Sequence, residues 1–416
     1  MPTNHSRISL WSLAAIFLRI GCFAFGGFMP LVSMAQREMV ERRKLLQEEE
    51  LLDAISLANL LPGPIAVNIV GWFGYRVRRS IGAIVAITSV IFPSFLIMLL
   101  LSHAYLQFGH LEWIQRLIRG FLPALAATVA LVAVRMIQKN ITIWSDYVPG
   151  VIAVFALLIS SRSGNFGVTF ALVLLAGLFG WARHRFTATC NETVSPGSTI
   201  PRGKLVRELR KLCLLVVLTL FVFFTALFLE GEGVLRLGAL FAGLGIMLFG
   251  GAFVAVPLLQ DLVVTQNAWL TTQEFLDVIA IAQVLPGPNL VSVSYVGYKI
   301  AGLSGAIACT IGIFGPPAAL MIFSSRFLDE CKASAAFQAS LRLIRLTVIG
   351  MIAFAVWIIF RASLVDEGPI IGSLLVSSLL FALAYFAQNR WKWELTAVIP
   401  FCGLCGFWMY PVFSVV

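Results

Sequence analysis

Long, continuous apolar runs constrain this chain more than any other feature. Stretches of about 20 apolar residues recur along the 416 residues without the polar alternation of a barrel strand. Apolar residues make up 59% and charged residues 12%, whereas soluble domains carry about 25% charged residues. So few charges cannot cover a soluble surface, which excludes a soluble enzyme, a nucleic-acid binder and a disordered protein. The sequence predicts an all-α integral membrane protein.

A polar, basic segment separates the apolar runs into two groups. Residues 183–208 combine arginine, lysine and histidine with proline and glycine, the composition of a solvated linker. Because lysine and arginine mark cytoplasmic loops, the net charge of +10 reflects orientation, and the linker is predicted to be cytoplasmic. The chain thus divides into a first membrane repeat, 1–182, the linker, and a second membrane repeat, 209–416. Apolar spans lie near 9–29, 80–102, 115–138, 144–160, 166–182, 209–230, 235–256, 303–325, 340–362, 369–386 and 394–413.

Two motifs occur once in each half. Phe25-Gly26-Gly27 recurs as Phe249-Gly250-Gly251, and Leu61-Pro62-Gly63-Pro64 recurs as Leu285-Pro286-Gly287-Pro288, both at a shift of 224 residues. Beyond the second motif the shift falls to 223. Identities at a constant shift indicate an internal duplication, which is common in secondary transporters.

Charge bias bears on how the Pro-Gly-Pro segments, 50–77 and 274–300, sit in the membrane. If each crosses once as a broken helix, the basic groups fall inside and the acidic loop 230–232 falls outside. If each is a hairpin, the basic group 326–345 falls outside, against the rule. We therefore expect about thirteen transmembrane helices and an inverted repeat, with the unpaired helix 209–230 reversing the second copy. The C-terminus is then external.

Each Pro-Gly-Pro motif must break its helix. Two prolines remove two backbone donors, and the glycine between them permits unusual dihedral angles. The new helix starts at Pro64 and Pro288 would present N–H groups and a positive dipole end, which suits a small anion. Irregular backbone at membrane depth is tolerated where it is buried in protein or lines a cavity.

Polar residues near the breaks complete a candidate anion pathway. Neutral side chains can coordinate an oxyanion without burying a charge, although they could instead bond the backbone that the prolines free. Arg19 lies within the first apolar run and should face the bundle interior, either in the pathway or in a structural ion pair. The Phe-Gly-Gly motifs could also be close helix-packing surfaces. The candidate pathway residues are Arg19, Gly26, Gly27, Asn59, Pro62, Gly63, Pro64, Asn68, Gly250, Gly251, Gln283, Pro286, Gly287, Pro288, Asn289 and Ser292.

Two pairs of carboxylates precede the breaks and are candidates for proton coupling. Glu50 with Asp53, and Glu274 with Asp277, occupy the first turns of the broken helices. Helix capping is the alternative, because Thr271 and Glu274 form a capping-box pattern.

The motifs, in their order, resemble the chromate transporter family. They are Phe25-Gly26-Gly27, Arg37-Glu38-Met39-Val40, Glu49-Glu50-Leu51-Leu52-Asp53, Leu61-Pro62-Gly63-Pro64 and Gly74-Tyr75, with Phe249-Gly250-Gly251, Pro257-Leu258-Leu259, Trp269-Leu270, Glu274-Phe275-Leu276-Asp277 and Leu285-Pro286-Gly287-Pro288. The resemblance covers the long, two-domain form. It implies a bacterial inner-membrane secondary transporter that expels chromate, with no enzymatic activity, cofactor or metal. Its partners are then the lipid bilayer and a small oxyanion, chromate or sulfate, and oligomeric state stays open.

Two other functions agree with parts of the sequence. Pro286-Gly287-Pro288-Asn289 also resembles a signature of the lysine and homoserine exporter family, whose chains are about half this length. A membrane redox protein could use Cys402 and Cys405, although small apolar filler is the default for cysteines in an apolar helix. Nothing resembles a nucleotide-binding loop, so export would be driven by the membrane potential or by protons, as in an antiporter.

Overall fold

The computed structural model describes residues 8–25, 28–109, 111–163, 168–187, 214, 216–226, 233–249, 255–324, 335–364 and 370–413. Within these ranges every regular element is helical, which confirms the all-α membrane fold. Five helices are long and apolar enough to cross a membrane, and six shorter helices are apolar. Of the predicted linker 183–208, residues 183–187 form the end of a helix, and residues 188–208 lie outside the described residues.

The helices are numbered in chain order. They are α1 (Leu10–Phe23), α2 (Phe28–Gln36), α3 (Glu48–Leu60), α4 (Ile65–Phe108), α5 (Glu112–Asn140), α6 (Tyr147–Ser163), α7 (Val168–Thr187), α8 (Val216–Ala226), α9 (Val234–Met247), α10 (Ala255–Gln260), α11 (Thr272–Val284), α12 (Val293–Ser324), α13 (Ala335–Ala362), α14 (Ile370–Asn389) and α15 (Leu395–Phe413). One π-helical turn extends α2 over Arg37–Arg42 and another extends α10 over Asp261–Gln266.

Each Phe-Gly-Gly motif joins two helices that fold back on each other. Ser12 and Arg19 of α1 line one cavity together with Met34 and Arg43, so the chain runs up α1 and returns along α2. In the second copy, α9 and α10 return in the same way: near the start of α9, the Nη2 of Arg236 donates to the Oδ1 of Asn267 (2.9 Å). We call these the first and second Phe-Gly-Gly hairpins.

Each Pro-Gly-Pro motif is also the tip of a hairpin. Glu50, at the start of α3, forms an ion pair with Arg76, one turn before the chain bends within α4. Glu274, at the start of α11, forms the equivalent pair with Lys299 (2.7 Å). The helices break at Pro-Gly-Pro as expected, but the expectation that each segment crosses the membrane once is wrong. The two ends of each segment lie side by side.

Matching backbone bends end the two Pro-Gly-Pro hairpins. Arg78 (φ −138°, ψ 25°) and Arg79 (φ 53°, ψ −149°) interrupt α4, and Ala301 (φ −135°, ψ 25°) and Gly302 (φ 60°, ψ −148°) interrupt α12. These positions are related by the shift of 223 residues. The duplication that the short motifs indicate thus also holds for the backbone angles of residues outside those motifs. Long helices, 80–108 and 303–324, follow the bends.

The Pro-Gly-Pro hairpins meet helix 80–108 at opposite ends. At its start, the Nε of Arg78 donates to the carbonyl of Ile8 (2.7 Å), so the bases of the first two hairpins are adjacent. Near its end, the hydroxyl of Tyr105 donates to Asp277 in the base of the second Pro-Gly-Pro hairpin (2.6 Å). At 1.5 Å per residue, these positions are about 40 Å apart. The two copies therefore approach the middle of the bundle from opposite directions.

The turn between α5 and α6 ties the two repeats together through one carboxylate. Asp146 accepts hydrogen bonds from the Thr142 N–H (3.0 Å) and hydroxyl (3.1 Å), and from the Nη2 of Arg342 in α13 (3.0 Å). The hydrogen bond from the Thr142 backbone N–H, and to a smaller extent the bond from Arg342, holds the pKa of Asp146 below its usual range. The ionised form is thus the one that the folded turn stabilises.

We predict that Asp146→Asn destabilises the purified protein by about 1–3 kcal/mol at neutral pH, the usual effect of removing a charged hydrogen-bond acceptor. A lowered native pKa stabilises the fold above the unfolded pKa of about 3.9, and this contribution disappears as pH falls through the native pKa. The difference in Tm between wild type and variant should therefore shrink on acidification. Arg116→Gln is the control, because its partner Glu112 is 85% exposed. A constant difference down to pH values of about 3 would contradict this assignment.

Cysteine labelling can test the hairpins directly. In a variant without the seven native cysteines, Glu49→Cys and Ser80→Cys should react from one face of the membrane, because they flank the first Pro-Gly-Pro hairpin. Thr272→Cys and Ser304→Cys should both react from the other face. All four positions are exposed. Reaction of Glu49→Cys and Ser80→Cys from opposite faces would contradict the hairpin and show that the segment crosses the membrane once.

Candidate functional site

The tips of the four hairpins are joined by two reciprocal hydrogen bonds. The N–H of Gly63 donates to the carbonyl of Leu248 (2.6 Å), and the N–H of Gly287 donates to the carbonyl of Ala24 (2.8 Å). Leu248 and Ala24 are equivalent positions, each directly before a Phe-Gly-Gly motif. Each Pro-Gly-Pro tip is thus bonded to the Phe-Gly-Gly hairpin of the other repeat.

Glycine is required at both Pro-Gly-Pro tips for two independent reasons. The φ angles of Gly63 (107°) and Gly287 (95°) are ones that residues with a Cβ rarely adopt. A Cβ at Gly63 would lie 2.2 Å from the Cβ of Pro317, and one at Gly287 would lie 2.6 Å from the Oγ of Ser94. Ser94 is the middle residue of helix 80–108, so the tips lie about 20 Å from either end of that helix.

Buried amides stand beside both tips and keep unused hydrogen-bonding capacity. Asn68 is fully buried and donates through Nδ2 to the carbonyl of Pro62 (3.1 Å), while its Oδ1 has no partner. Asn289 donates to Gln283, and its Oδ1 is likewise without a partner. Since buried polar atoms are normally paired, two unpaired amide oxygens beside the tips indicate a place for a further polar group.

The candidate pathway residues near the breaks are almost all brought together. Pro62, Gly63, Pro64 and Asn68 are buried at one tip, and Gln283, Pro286, Gly287, Pro288, Asn289 and Ser292 are buried at the other. Asn59 is exposed, and its side-chain Nδ2 donates to the backbone carbonyl of Ile55, one helical turn earlier (2.8 Å). Gly26, Gly27, Gly250 and Gly251 lie outside the described residues.

Arg345 is a cation near the first Pro-Gly-Pro tip. From the sequence it is expected in a basic cytoplasmic group. It lies within α13, and its Nη2 donates to the carbonyl of Asn59 (2.8 Å), four residues before Gly63. This contact satisfies one of the carbonyls left open at the end of α3. No local pattern pairs positions 59 and 345, so only a contact map could have revealed it.

Arg19 lines a cavity of about 510 Å³ between the arms of the first Phe-Gly-Gly hairpin. It does not sit among the apolar side chains of the bundle, since it is exposed to this cavity. The other charged residues of the lining are Arg37, Glu38, Arg42 and Arg43. We call this space the basic cavity.

The coupling candidates differ sharply between the copies. Asp277 is 4% exposed and accepts hydrogen bonds from Tyr105 (2.6 Å) and from the Nε2 of Gln273 (2.8 Å). It lines a second cavity, of about 350 Å³, with Arg119 and Tyr295. We call this space the acidic cavity. Asp53, its counterpart, is exposed.

The capping alternative holds in part for the neighbouring glutamates. Glu50 accepts a hydrogen bond from the Gln47 N–H (3.0 Å) and so caps α3, besides pairing with Arg76. Thr271 caps α11 by accepting from the Glu274 N–H (3.1 Å), but the Glu274 carboxylate bonds Lys299 and Tyr295 instead of completing the box. Tyr105 and Tyr295 were missed because an aromatic residue in an apolar run gives no signal of a polar contact.

A duplicated helical bundle whose hairpins meet at its middle, with separate cavities along the hairpins, is the architecture of a multi-pass membrane transport protein. The chain belongs to the chromate transporter family, whose model matches residues 11–181 and 235–407. This confirms the resemblance in the motifs and leaves the amino-acid exporter alternative without support. Cys402 and Cys405, the redox candidates, are both unpaired thiols within α15.

Named relatives extend over nearly the whole chain. It is 26% identical over 411 residues to a chromate transport protein of Cupriavidus metallidurans, covering 97% of this chain and 94% of the relative. It is 28% identical to a chromate transport protein of Pseudomonas aeruginosa (96% and 92%) and 28% identical to a probable chromate transport protein of Synechococcus elongatus (87% and 87%). No solved structure matches the chain.

The tip geometry predicts a graded mutational series. Gly287→Ala should lower chromate transport or the yield of folded protein about tenfold, since overpacking costs about 1–3 kcal/mol. Combining it with Ser94→Ala removes the nearest atom, leaves the Ser94 Cβ at 3.3 Å, and should recover part of the loss. Gly63→Ala should be as damaging, because Pro317 cannot move aside as a hydroxyl can.

Gly302→Ala is the matched control for backbone strain. Gly302 also has a positive φ, but a Cβ there would meet nothing within 4 Å, and Arg79 adopts the same angles at the equivalent position. Gly302→Ala should therefore carry the backbone strain without the clash, so its transport should exceed that of Gly287→Ala. Normal transport by Gly287→Ala would remove the tip from the mechanism.

Proposed function

We propose that this transporter exports chromate, or a related tetrahedral oxyanion such as sulfate, across the bacterial inner membrane, and that it is not an enzyme. The observation that carries the proposal is the pair of reciprocal tip bonds at mid-depth, with the basic cavity leading to them along one hairpin. The names of the relatives support chromate as substrate. Chromate and sulfate share charge and shape, so the chemistry recognised is a tetrahedral dianion.

The proposed topology follows from treating all four motif segments as hairpins. Helices 80–108, α5, α6 and α7 then cross four times, which returns the linker to the side of the first two hairpin bases. α8 crosses once and places the second pair of hairpins outside, as an inverted repeat. The basic group 326–345 is then cytoplasmic, in agreement with the positive-inside rule. In this topology the Phe-Gly-Gly segments are hairpins as well, whereas the charge-bias argument from the sequence treats them as crossings.

The tips form the proposed barrier between the two faces. Anion passage would open one reciprocal bond, and the freed glycine N–H could then bond a substrate oxygen in place of the carbonyl. The Asn68 and Asn289 amides, Ser292 and the helix starts after Pro64 and Pro288 provide further neutral groups. Such groups stabilise a dianion by hydrogen bonds without fixing it through a permanent ion pair, so that release stays possible.

The membrane potential alone can drive export. Moving a dianion out of a cell that is negative inside releases about 4.6 kcal/mol per 100 mV. Proton coupling is not required by this energy, but the buried Asp277 offers a titratable group on the proposed external face. Chromate and sulfate flux into proteoliposomes, with potential and pH gradient imposed separately, tests substrate and driving force together. Absence of flux of either anion under both gradients would refute the proposal.

Replacing the two aspartates separates coupling from structure. Asp277→Asn should flatten the pH dependence of chromate export, because the amide keeps the shape of the side chain but does not titrate. Asp53→Asn, at the exposed counterpart, is the matched control and should leave the profile unchanged. Tyr105→Phe removes a hydrogen-bond donor but leaves the carboxylate, so it should move the midpoint of the profile without abolishing it. An unchanged profile in Asp277→Asn would leave the potential as the driving force.

A further inference from the structure

The basic cavity exists in only one of the two copies, among the described residues. At the positions equivalent to its four arginines, the second Phe-Gly-Gly hairpin has no basic residue. Arg19, Arg37, Arg42 and Arg43 correspond to Gly243, Asp261, Gln266 and Asn267. The first set carries four positive charges against the single negative charge of Glu38, whereas the second set carries one negative charge.

The equivalent space in the second copy is also filled. A Cβ at Gly243 would lie 2.2 Å from the ring of Phe223, a fully buried residue of α8. Among the described residues α8 has no counterpart in the first repeat, and this helix packs against the second Phe-Gly-Gly hairpin. The two copies therefore differ at the Phe-Gly-Gly hairpins. The first hairpin has an arginine-lined cavity, and in the second the ring of Phe223 fills the equivalent space.

Among the described residues, only Glu38 forms ion pairs with the arginines of the basic cavity. Glu38 bonds the Nε of Arg43 (2.8 Å) and the Nη1 of Arg42 (3.2 Å). Among the described residues no carboxylate lies within 4 Å of Arg19 or Arg37. An excess of arginine in a low-dielectric cleft attracts anions and raises their local concentration. Arginine also suits oxyanions, because its planar group donates two parallel hydrogen bonds.

The cavity runs from the base of its hairpin almost to the tip. Arg42 and Arg43 lie at the base, while Arg19 is five residues before Ala24, the acceptor of the Gly287 N–H. At 1.5 Å per residue, Arg19 is about 7.5 Å along the helix from that bond. An anion held at Arg19 would be the next group to reach the tips.

We propose that the basic cavity is the intake site for tetrahedral dianions on the linker face, and that its absence from the second copy gives the linker face the higher apparent affinity. The inference rests on the proposed function and deepens it. The dianion enters past Arg42 and Arg43, is held by Arg37 and Arg19, and passes from Arg19 to the tips. From the other face, the Phe223 ring and Asp261 leave no equivalent intake.

Flux measured separately from each face tests the proposal. In inside-out vesicles, the double variant Arg19→Gln with Arg37→Gln should raise the KM for chromate about tenfold, within the range of electrostatic attraction into clefts. The maximal rate should stay within about twofold, since the tips are unaltered. Raising ionic strength should increase the wild-type KM more than that of the variant. In right-side-out vesicles the ratio of maximal rate to KM should fall equally, as detailed balance requires, but through a lower maximal rate and not through a higher KM.

Two further variants separate charge from packing. Arg19→Lys with Arg37→Lys keeps the charge and should restore most of the KM. Arg236→Gln, in the second Phe-Gly-Gly hairpin, removes an arginine bonded to Ala226 and Asn267 and should not alter the KM at the linker face. If the double variant does not fold, the single variant Arg37→Gln is measured in its place, because Arg37 is exposed.

The outcomes distinguish this inference from the proposed function. An unchanged KM in an active transporter overturns the intake site alone, as does an equal rise of KM from both faces. A wild-type protein that moves neither chromate nor sulfate overturns the proposed function, and the intake site with it.

Discussion

The hydrogen bonds between hairpin tips are the constraint on which the rest of the structure depends. A hairpin that ends at mid-depth exposes backbone groups where no water can satisfy them, and each unpaired group costs several kcal/mol. Here the two glycine N–H groups are satisfied by carbonyls of the opposite repeat. The bond at each tip therefore needs the opposite repeat, which joins the two halves of the chain at the tips.

Close contact of backbones follows from that requirement. Gly74 and Gly82 let the arm of the first Pro-Gly-Pro hairpin cross helix 80–108 so tightly that a Cβ on Gly74 would lie 2.3 Å from the Gly82 carbonyl. Gly297 and Gly305 repeat the contact in the second copy. In lipid, where apolar side chains gain little from association, such close approach is a main source of helix attraction. Small residues therefore mark these two helix crossings, where large side chains would keep the backbones apart.

The sequence predicted local features well and distant contacts poorly. Proline and glycine fix the helix breaks at Pro62 and Pro286 through their own backbone chemistry, and identities at a constant shift reveal the duplication without any structure. An apolar run of about 20 residues, by contrast, can either cross the membrane or turn back at a glycine pair, because both bury the same side chains. The Arg345 contact with Asn59 and the Tyr105 contact with Asp277 join residues far apart in sequence, which no spacing rule could pair.

The departures from symmetry bear on function more than the symmetry does. Two identical copies facing opposite ways would bind and release an anion with the same apparent affinity from either face. In this chain the basic cavity lies in the first copy and the buried Asp277 lies in the second. Phe223 of α8 fills the space at Gly243, the position in the second copy that is equivalent to Arg19. Affinity cannot change the equilibrium set by the gradient, but it sets which face loads at low concentration. A dianion at low cytoplasmic concentration would therefore be captured on the arginine side and reach the tips before a competitor from the other face.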